Sequence, residues 1–404
     1  MNGIIEHGSE VSLILRKPSK PFVAFGEIAY KIISSQYYVY YYEKGYDVLL
    51  EFQRHPEINV VGVVDEKMRP LGVLVRDDFM ATMSRPFVLD MYRYRSIKNL
   101  VKEVKIYPYY LHIYSLYDEL GSVILSKRNE FFILVDEEGN FAGIFSSQDL
   151  LSYIYVMMKK DMVSATEVQR NIVPEEYKLV IRNFIVFAAS KPTKEVGGDF
   201  YFVKDVGDKI VFALCDVSGK GPSASLITTT LGGFFNAFNF VGEGYDSFLA
   251  KLNNYLLNTF QGEKYVTGVF GEVYKESGEV DLWDMGHGYV LVKNGKSVSK
   301  VNPKSNMPLG ISEDMPLEKE RIYLRNKDTL IFFSDGVVEQ RNGNGEFYPE
   351  KRFYSILKGA NSPELIKNAL WTDLKNFRGK YPQSDDISIL MLQMDKDLKE
   401  VFFD

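Results

Sequence analysis

The sequence predicts an α+β chain in two parts, and three observations carry that expectation. A strand, turn, strand, helix pattern occurs twice in the front half. A stretch free of Gly and Pro follows the second copy and runs to Pro174. Beyond it, four apolar strand-like runs each have aspartate just after or within them. With 404 residues and 46% hydrophobic side chains, the chain can bury large cores and fits two domains better than one.

The front repeat is read directly from the residues. INVVGVVDEKMRPLGVLVRDDFMATM (58 to 83) has two valine-rich runs joined by a charged turn, then an Asp pair that opens a helical apolar pattern. It returns in EFFILVDEEGNFAGIFSSQDLLSYI (130 to 154), where VVDEKMRPLGVLV becomes LVDEEGNFAGIFS. Each copy has an apolar face too small to stand alone, so the two are expected to pack about a pseudo-twofold axis. Ahead of them, QYYVYYYEKGY (36 to 46) is strand-like, and its tyrosines suit a half-buried sheet, an interface or a ligand-stacking surface.

Over residues 45 to 158 the repeat resembles the paired cystathionine-β-synthase (CBS) modules, an α/β pair that often takes an adenine nucleotide in the cleft between copies. In that family a hydroxyl residue and an Asp three positions on hold the ribose, and Ser146 and Asp149 of SSQDL match. Asp78 is the counterpart in the first copy, but Val75 stands where the hydroxyl is expected. The resemblance therefore implies an adenine nucleotide as regulatory ligand at Ser146, Asp149 and Asp78. A purely structural reading stands beside it, with Ser146 capping the helix and Asp149 favourable in its first turn.

The bridge, residues 149 to 176, is expected to be one helix of about 25 residues. Leu151, Ile154, Met158, Asp161, Ala165, Val168 and Ile172 follow a 3,4 spacing, and Tyr155, Met158, Met162, Ala165, Gln169 and Ile172 give a second seam. A helix packed on its own domain and a homodimeric coiled coil both fit, and two near-equal registers suit a switch.

In the back part the acids fall in KEVGGDFYFV (194 to 203), IVFALCDVSGKG (210 to 221), TLIFFSDGVVE (329 to 339) and SDDISILMLQM (384 to 394). Asp199, Asp216, Asp335 and Asp385 thus stand at strand ends, which suits hard divalent cations that take oxygen ligands. SGKG is not a Walker loop, because Ala213 and Leu214 precede it and Gly221, not Ser or Thr, follows Lys220. It reads as a sharp strand-to-helix turn with Pro222 at the helix start.

EVGGDFY, CDVSGKGPSASL, WDMGHG, MPLGI, LIFFSDGVVEQRNGNGEFY and SDDISIL, in this order, resemble the metal-dependent serine/threonine phosphatases of type 2C. The likeness is to their bacterial branch of sporulation and general-stress regulators, and ATEVQRNIVPEE resembles the lead-in usual there. The family implies an αββα sandwich of two antiparallel sheets flanked by helices, with two Mn²⁺ or Mg²⁺ ions at one end. Carried over, Asp199, Asp216, Asp335 and Asp385 are catalytic and hold the metals, the Val217 carbonyl is a further ligand, and Asp386 is second choice to Asp385. His287 in WDMGHG is expected to be structural, and Cys215 lacks the basic neighbour that a nucleophilic thiolate needs.

The implied reaction is hydrolysis of phosphoserine or phosphothreonine by metal-activated water on a regulatory protein of the anti-sigma antagonist type, a partner-switching role gated by the CBS pair. The alternative is a non-catalytic nucleotide-responsive sensor or scaffold that binds a phosphoprotein. The expected organisation is an N-terminal segment (1 to 44) packed on the CBS pair (45 to 158), the linker helix (149 to 176) and the phosphatase domain (177 to 404). A net charge of −6, with 48 basic against 54 acidic residues, argues against a nucleic-acid partner. One cysteine and four histidines exclude an internal disulfide and a Cys/His zinc cage. The charged opening MNGIIEHGSEVSLILRKPSK and the lack of a long apolar run lead us to expect a cytoplasmic protein with no membrane partner.

Overall fold

The computed structural model describes residues 14–18, 26–126 and 129–398. Apart from residues 14–18, the opening stretch 1 to 20 lies outside the described residues. The chain divides into two compact units, Met1–Lys160 and Asp161–Asp404.

The first unit is built twice over from one plan. β1 (Tyr38–Tyr40), α1 (Gly45–Arg54), β2 (Val60–Val64), β3 (Pro70–Val75) and α2 (Arg76–Met83) form the first copy, with α3 (Val88–Tyr92) behind it. β4 (Ile106–Pro108), α4 (Ile113–Leu125), β5 (Phe131–Val135), β6 (Phe141–Ser146) and α5 (Ser147–Ile172) form the second. In each sheet the first pair is parallel and the second antiparallel. The first sheet thus draws its parallel strand from the tyrosine-rich run ahead of residue 45.

Each copy has its own core, around Val48, Phe52 and Phe79 in one and Leu116, Phe132 and Leu150 in the other. The sheets also share a cluster of Val60, Val73, Ile133 and Ile144. That cluster covers one face of strands whose other face packs in each copy's own core, so neither sheet would be stable alone. Gly62 sits where a Cβ would lie 2.4 Å from the Phe141 ring, which fixes that contact sterically.

α5 is 26 residues long and ends where Pro174 cannot continue it; the Val173 amide makes a last bond to the Gln169 carbonyl.

The second unit has four layers. One antiparallel sheet has the order β15-β12-β11-β10-β9 and the other β14-β13-β16-β17-β8-β7. Their strands are β7 (Glu176–Ile181), β8 (Phe184–Lys191), β9 (Asp199–Val206), β10 (Lys209–Val217), β11 (Val266–Tyr274), β12 (Glu279–Met285), β13 (Val290–Asn294), β14 (Ser297–Val301), β15 (Glu320–Tyr323), β16 (Asp328–Phe333) and β17 (Ile387–Met394). The sheets meet through residues such as Phe212 and Phe332, whose ring centroids are 5.3 Å apart. α6 (Pro222–Ala237) and α7 (Tyr245–Phe260) cover the first sheet; α8 (Glu350–Gly359) and α9 (Pro363–Arg378) cover the second. This is the mixed α+β architecture, with antiparallel sheets and flanking helices, that the back part leads one to expect.

Spacing explains the helices. α6 buries Ala224, Ile227, Leu231 and Phe235, a 3,4 stripe, and Phe235 stacks on Phe202 at 4.4 Å. Truncating Phe235 to Ala would cost about 3–5 kcal/mol. Among the described residues no helix is long and apolar enough to cross a membrane.

Candidate functional site

Strand ends bring the acids together. Asp199 opens β9 and pairs in register with Asp216 near the end of β10. From the facing sheet, Asp335 opens a 3-10 turn (Asp335–Val337) after β16, and Asp385 and Asp386 immediately precede β17. The glycine beside Asp335 is a steric requirement: a Cβ on Gly336 would fall 1.7 Å from the Asp386 carbonyl. The Val217 carbonyl lies beside Gly198, at the same end.

The two acids of the SDD segment do different work. Asp386 accepts from the Thr193 amide at 2.6 Å and the Gly198 amide at 2.7 Å, one bond to each carboxylate oxygen. It is a brace for the loop that leads into Asp199. Asp385 instead accepts from the Lys220 ammonium at 2.6 Å.

Electrostatics mark the cluster. Burial, then Asp335, Asp385 and Asp386, push the Asp216 carboxyl up to about 7, with Lys220 opposing. Asp335 is pushed up to about 6 by burial and then by Asp385 and Glu339. Asp199 is held well above the usual carboxylate range by burial, then by Asp216 and Asp386, against the hydroxyls of Ser388 and Ser334. Carboxylates crowded in this way are uncomfortable without a cation.

The donor set fits a divalent metal. Asp199 is 4% exposed, and its Oδ2 is buried with no hydrogen-bond partner. A buried carboxylate oxygen with no hydrogen-bond partner, beside other acids, suits an oxygen-loving cation. As the side chains stand, however, no group of three or more His, Cys, Asp or Glu among the described residues is arranged to hold a metal ion. Asp385 is paired with Lys220 and Asp386 with two backbone amides, so both carboxylates already have partners.

Several positioning residues escaped the sequence reading. Gln169, a seam residue for either a coiled coil or a helix packed on its own domain, is buried, with its amide on both sides of Gly197. Gln340 donates to the Gly336 carbonyl at 2.6 Å and accepts from the Ser384 amide at 3.1 Å, tying the Asp335 turn to the Asp385 segment. Ser334 and Ser388 join the same two strand ends, with the Ser388 amide donating to the Ser334 hydroxyl at 2.9 Å and that hydroxyl donating to the Asp386 carbonyl at 3.3 Å. Each lies within a quoted motif, but only the fold reveals its partner. His287 behaves as expected: Nε2 donates to the Phe333 carbonyl at 2.9 Å, and burial pulls its pKa down to about 4. The Cys215 thiol is fully buried and driven up by that burial, then by Asp216 and Asp199.

Ser146, Asp149 and Asp78 lie together in the first unit. Ser146 and Asp149 form a capping box: the Ser146 amide and hydroxyl both donate to Asp149 Oδ2 at 2.7 Å, and the Asp149 amide donates to the Ser146 hydroxyl at 3.2 Å. The purely structural role of the pair is therefore present. Both residues, with Asp78, also line a cavity of about 770 Å³ between the copies, alongside Tyr37, Asn59 and Gln148.

Residues 207–395 match the family model of stage II sporulation protein E (SpoIIE). Over 270 residues the chain is 25% identical to phosphoserine phosphatase RsbU of Bacillus subtilis (strain 168), covering 64% of this chain and 78% of that protein. The C-terminal unit is a protein serine/threonine phosphatase. Phosphoserine phosphatase RsbP of the same organism is 21% identical over 243 residues, and this chain spans 58% of that relative's length. The SiaA-PP2C domain of Pseudomonas aeruginosa shares the fold of the phosphatase unit, with a TM-score of 0.51 at 19% identity, over 60% of this chain and 99% of that one. The phosphatase likeness favours the enzyme over the non-catalytic scaffold reading.

Proposed function

We propose that the phosphatase unit removes phosphate from a phosphoserine of a regulatory protein, of the anti-sigma antagonist type, in a cytoplasmic partner-switching system. The observation that carries the reading is the cross-strand pair Asp199 and Asp216, faced by Asp335 and Asp385 from the other sheet. In this reading those four carboxylates and the Val217 carbonyl hold two Mn²⁺ or Mg²⁺ ions. When bound, such ions neutralise phosphoryl oxygens and acidify a water. Asp386 keeps the Asp199 loop in place through Thr193 and Gly198, and Gln340 fixes Asp335 relative to Asp385. RsbU and RsbP, named as phosphoserine phosphatases, support the substrate class.

The first unit is, in the same proposal, a CBS pair in which an adenine nucleotide occupies the cavity at Ser146, Asp149 and Asp78 and gates the phosphatase through α5. The cavity size supports a nucleotide-sized ligand. Apolar side chains left exposed along α5, among them Tyr155, Met158 and Val168, support a homodimer.

The test is hydrolysis of a phosphoserine peptide and of p-nitrophenyl phosphate by the full chain, with Mn²⁺ added or chelated. Metal-dependent turnover of both is expected. A folded protein with no metal-dependent rate would falsify the two-metal reading.

A further inference from the structure

The acid cluster carries a cation of its own. Lys220 Nζ lies 2.6 Å from Asp385 Oδ2 and 3.3 Å from the Ser384 carbonyl. Among the described residues no other Lys, Arg or His forms an ion pair with Asp199, Asp216, Asp335, Asp385 or Asp386. Lys264, on the neighbouring strand-leading loop, rests on the Ser218 carbonyl at 3.4 Å instead.

The loop is shaped for this contact. Gly219 and Gly221 have φ of +101° and +76°, a region that favours glycine, so the backbone reverses on both sides of Lys220 between β10 and α6. The lysine stem then crosses to a segment 165 residues away in sequence. The pair is open to water, with side-chain exposures of 50% for Lys220 and 23% for Asp385. An ion pair this accessible is weak, and a lysine ammonium is a point charge on a flexible stem, so it can leave without rearranging the fold.

Resting on the two-metal reading above, we propose that Lys220 is a displaceable counter-ion of the metal centre. Its ammonium pairs with Asp385 while no divalent cation is bound, and a cation that recruits Asp385 competes with that pair. The competition follows from charge. Five facing carboxylates repel one another, one ammonium relieves part of the repulsion, and a divalent ion relieves more at shorter range. A group that satisfies only the metal-free form lowers the apparent metal affinity by the share of molecules it holds. Lys220 therefore sets the cation concentration at which the centre fills, and it keeps the 384–386 segment ordered before it does.

The experiment is calorimetric titration of Mn²⁺ into the chelator-stripped full chain, comparing wild type with Lys220→Met, Lys220→Gln and Lys220→Arg. Both neutral variants are expected to bind Mn²⁺ about five- to tenfold more tightly, and Lys220→Arg to stay near wild type. Without metal the neutral variants should melt lower than wild type, and the gap should close at saturating Mn²⁺. If wild type binds Mn²⁺ and the neutral variants bind equally or less tightly, the counter-ion role is wrong and the metal centre stands. Equal tightening by Lys220→Arg would assign the effect to loop shape and also overturn the proposal. If neither wild type nor variants take up Mn²⁺ or Mg²⁺, the two-metal reading fails and this proposal with it.

Discussion

Gln169 holds Gly197 by both sides of its peptide: Nε2 donates to the Gly197 carbonyl at 2.7 Å, and Oε1 accepts from the Gly197 amide at 3.0 Å. Nε2 also donates to the Thr228 hydroxyl at 2.9 Å. The last turn of α5 thereby grips the loop two residues ahead of Asp199. Replacing Gln169 with Leu keeps the bulk but leaves a buried amide and carbonyl unpaired, a loss of about 2–4 kcal/mol. We expect Gln169→Leu to unfold at lower urea, to bind Mn²⁺ more weakly and to turn over at least about tenfold more slowly. Wild-type Mn²⁺ affinity in a destabilised Gln169→Leu would separate the clamp from the site.

Asp216→Asn tests the centre itself. The substitution removes a charge from the cluster and keeps the shape, so metal-free stability should hold or rise as repulsion eases, while phosphatase activity falls by about 10²-fold or more. Paired melting curves and rate assays check this. Undiminished turnover would take Asp216 out of the chemistry.

What could be read in advance follows from range. The repeat, the long helix and the acids at strand ends are local patterns, and period, turn chemistry and a terminal Asp suffice to see them. Gln169 carries two readings in the sequence because helical spacing gives the same seam whether a helix meets a second helix or, as here, a buried loop; only the fold shows that Gly197 lies opposite. Lys220 reads as a turn residue because its partner is in the last strand-leading segment. Asp385 and Asp386 are indistinguishable as letters, and differ because two backbone amides converge on one of them. Ser146 and Asp149 carried two readings because a capping box and a ribose clamp use the same two residue types.

Those two readings can be separated. Asp149→Ala breaks the box and should lower stability by about 1 kcal/mol with or without ligand. If an adenine nucleotide fills the cavity, it raises the melting temperature of the wild type, and Asp149→Ala abolishes the shift. Asp78→Ala, across the cavity, should reduce the shift with little change in basal stability. Equal nucleotide shifts in all three proteins would leave Ser146 and Asp149 as a cap.

His287 gives a pH dependence with a definite sign. Burial pulls its pKa down to about 4 in the folded chain from an unfolded value near 6.5, so below 6.5 the unfolded chain binds the extra proton. Its contribution is fully present above pH 6.5 and is lost as pH falls towards 4, up to about 3 kcal/mol. The comparison is urea unfolding at pH 7 and pH 4.5 for wild type and His287→Gln, whose amide can still donate to Phe333. Wild type should lose more stability on acidification than the variant, and identical losses would show that the imidazole is not held neutral.

The long helix offers the last test. α5 runs without Gly or Pro from the Ser146 cap to the Gln169 clamp, so any rotation or register change at one end is carried covalently to the other. One residue inserted after Lys160 turns everything beyond it by about 100°, whereas seven residues restore the phase to within about 20° while adding about 10 Å. If α5 relays a nucleotide signal as a rotation, the single insertion should fix the phosphatase in one activity state and remove the nucleotide response. The seven-residue insertion should recover much of that response, with Mn²⁺ affinity measured alongside to show that the metal site is intact. A response that declines steadily with insert length points to distance rather than phase. One that ignores both insertions makes the helix a tether, and the gate must then lie on another surface.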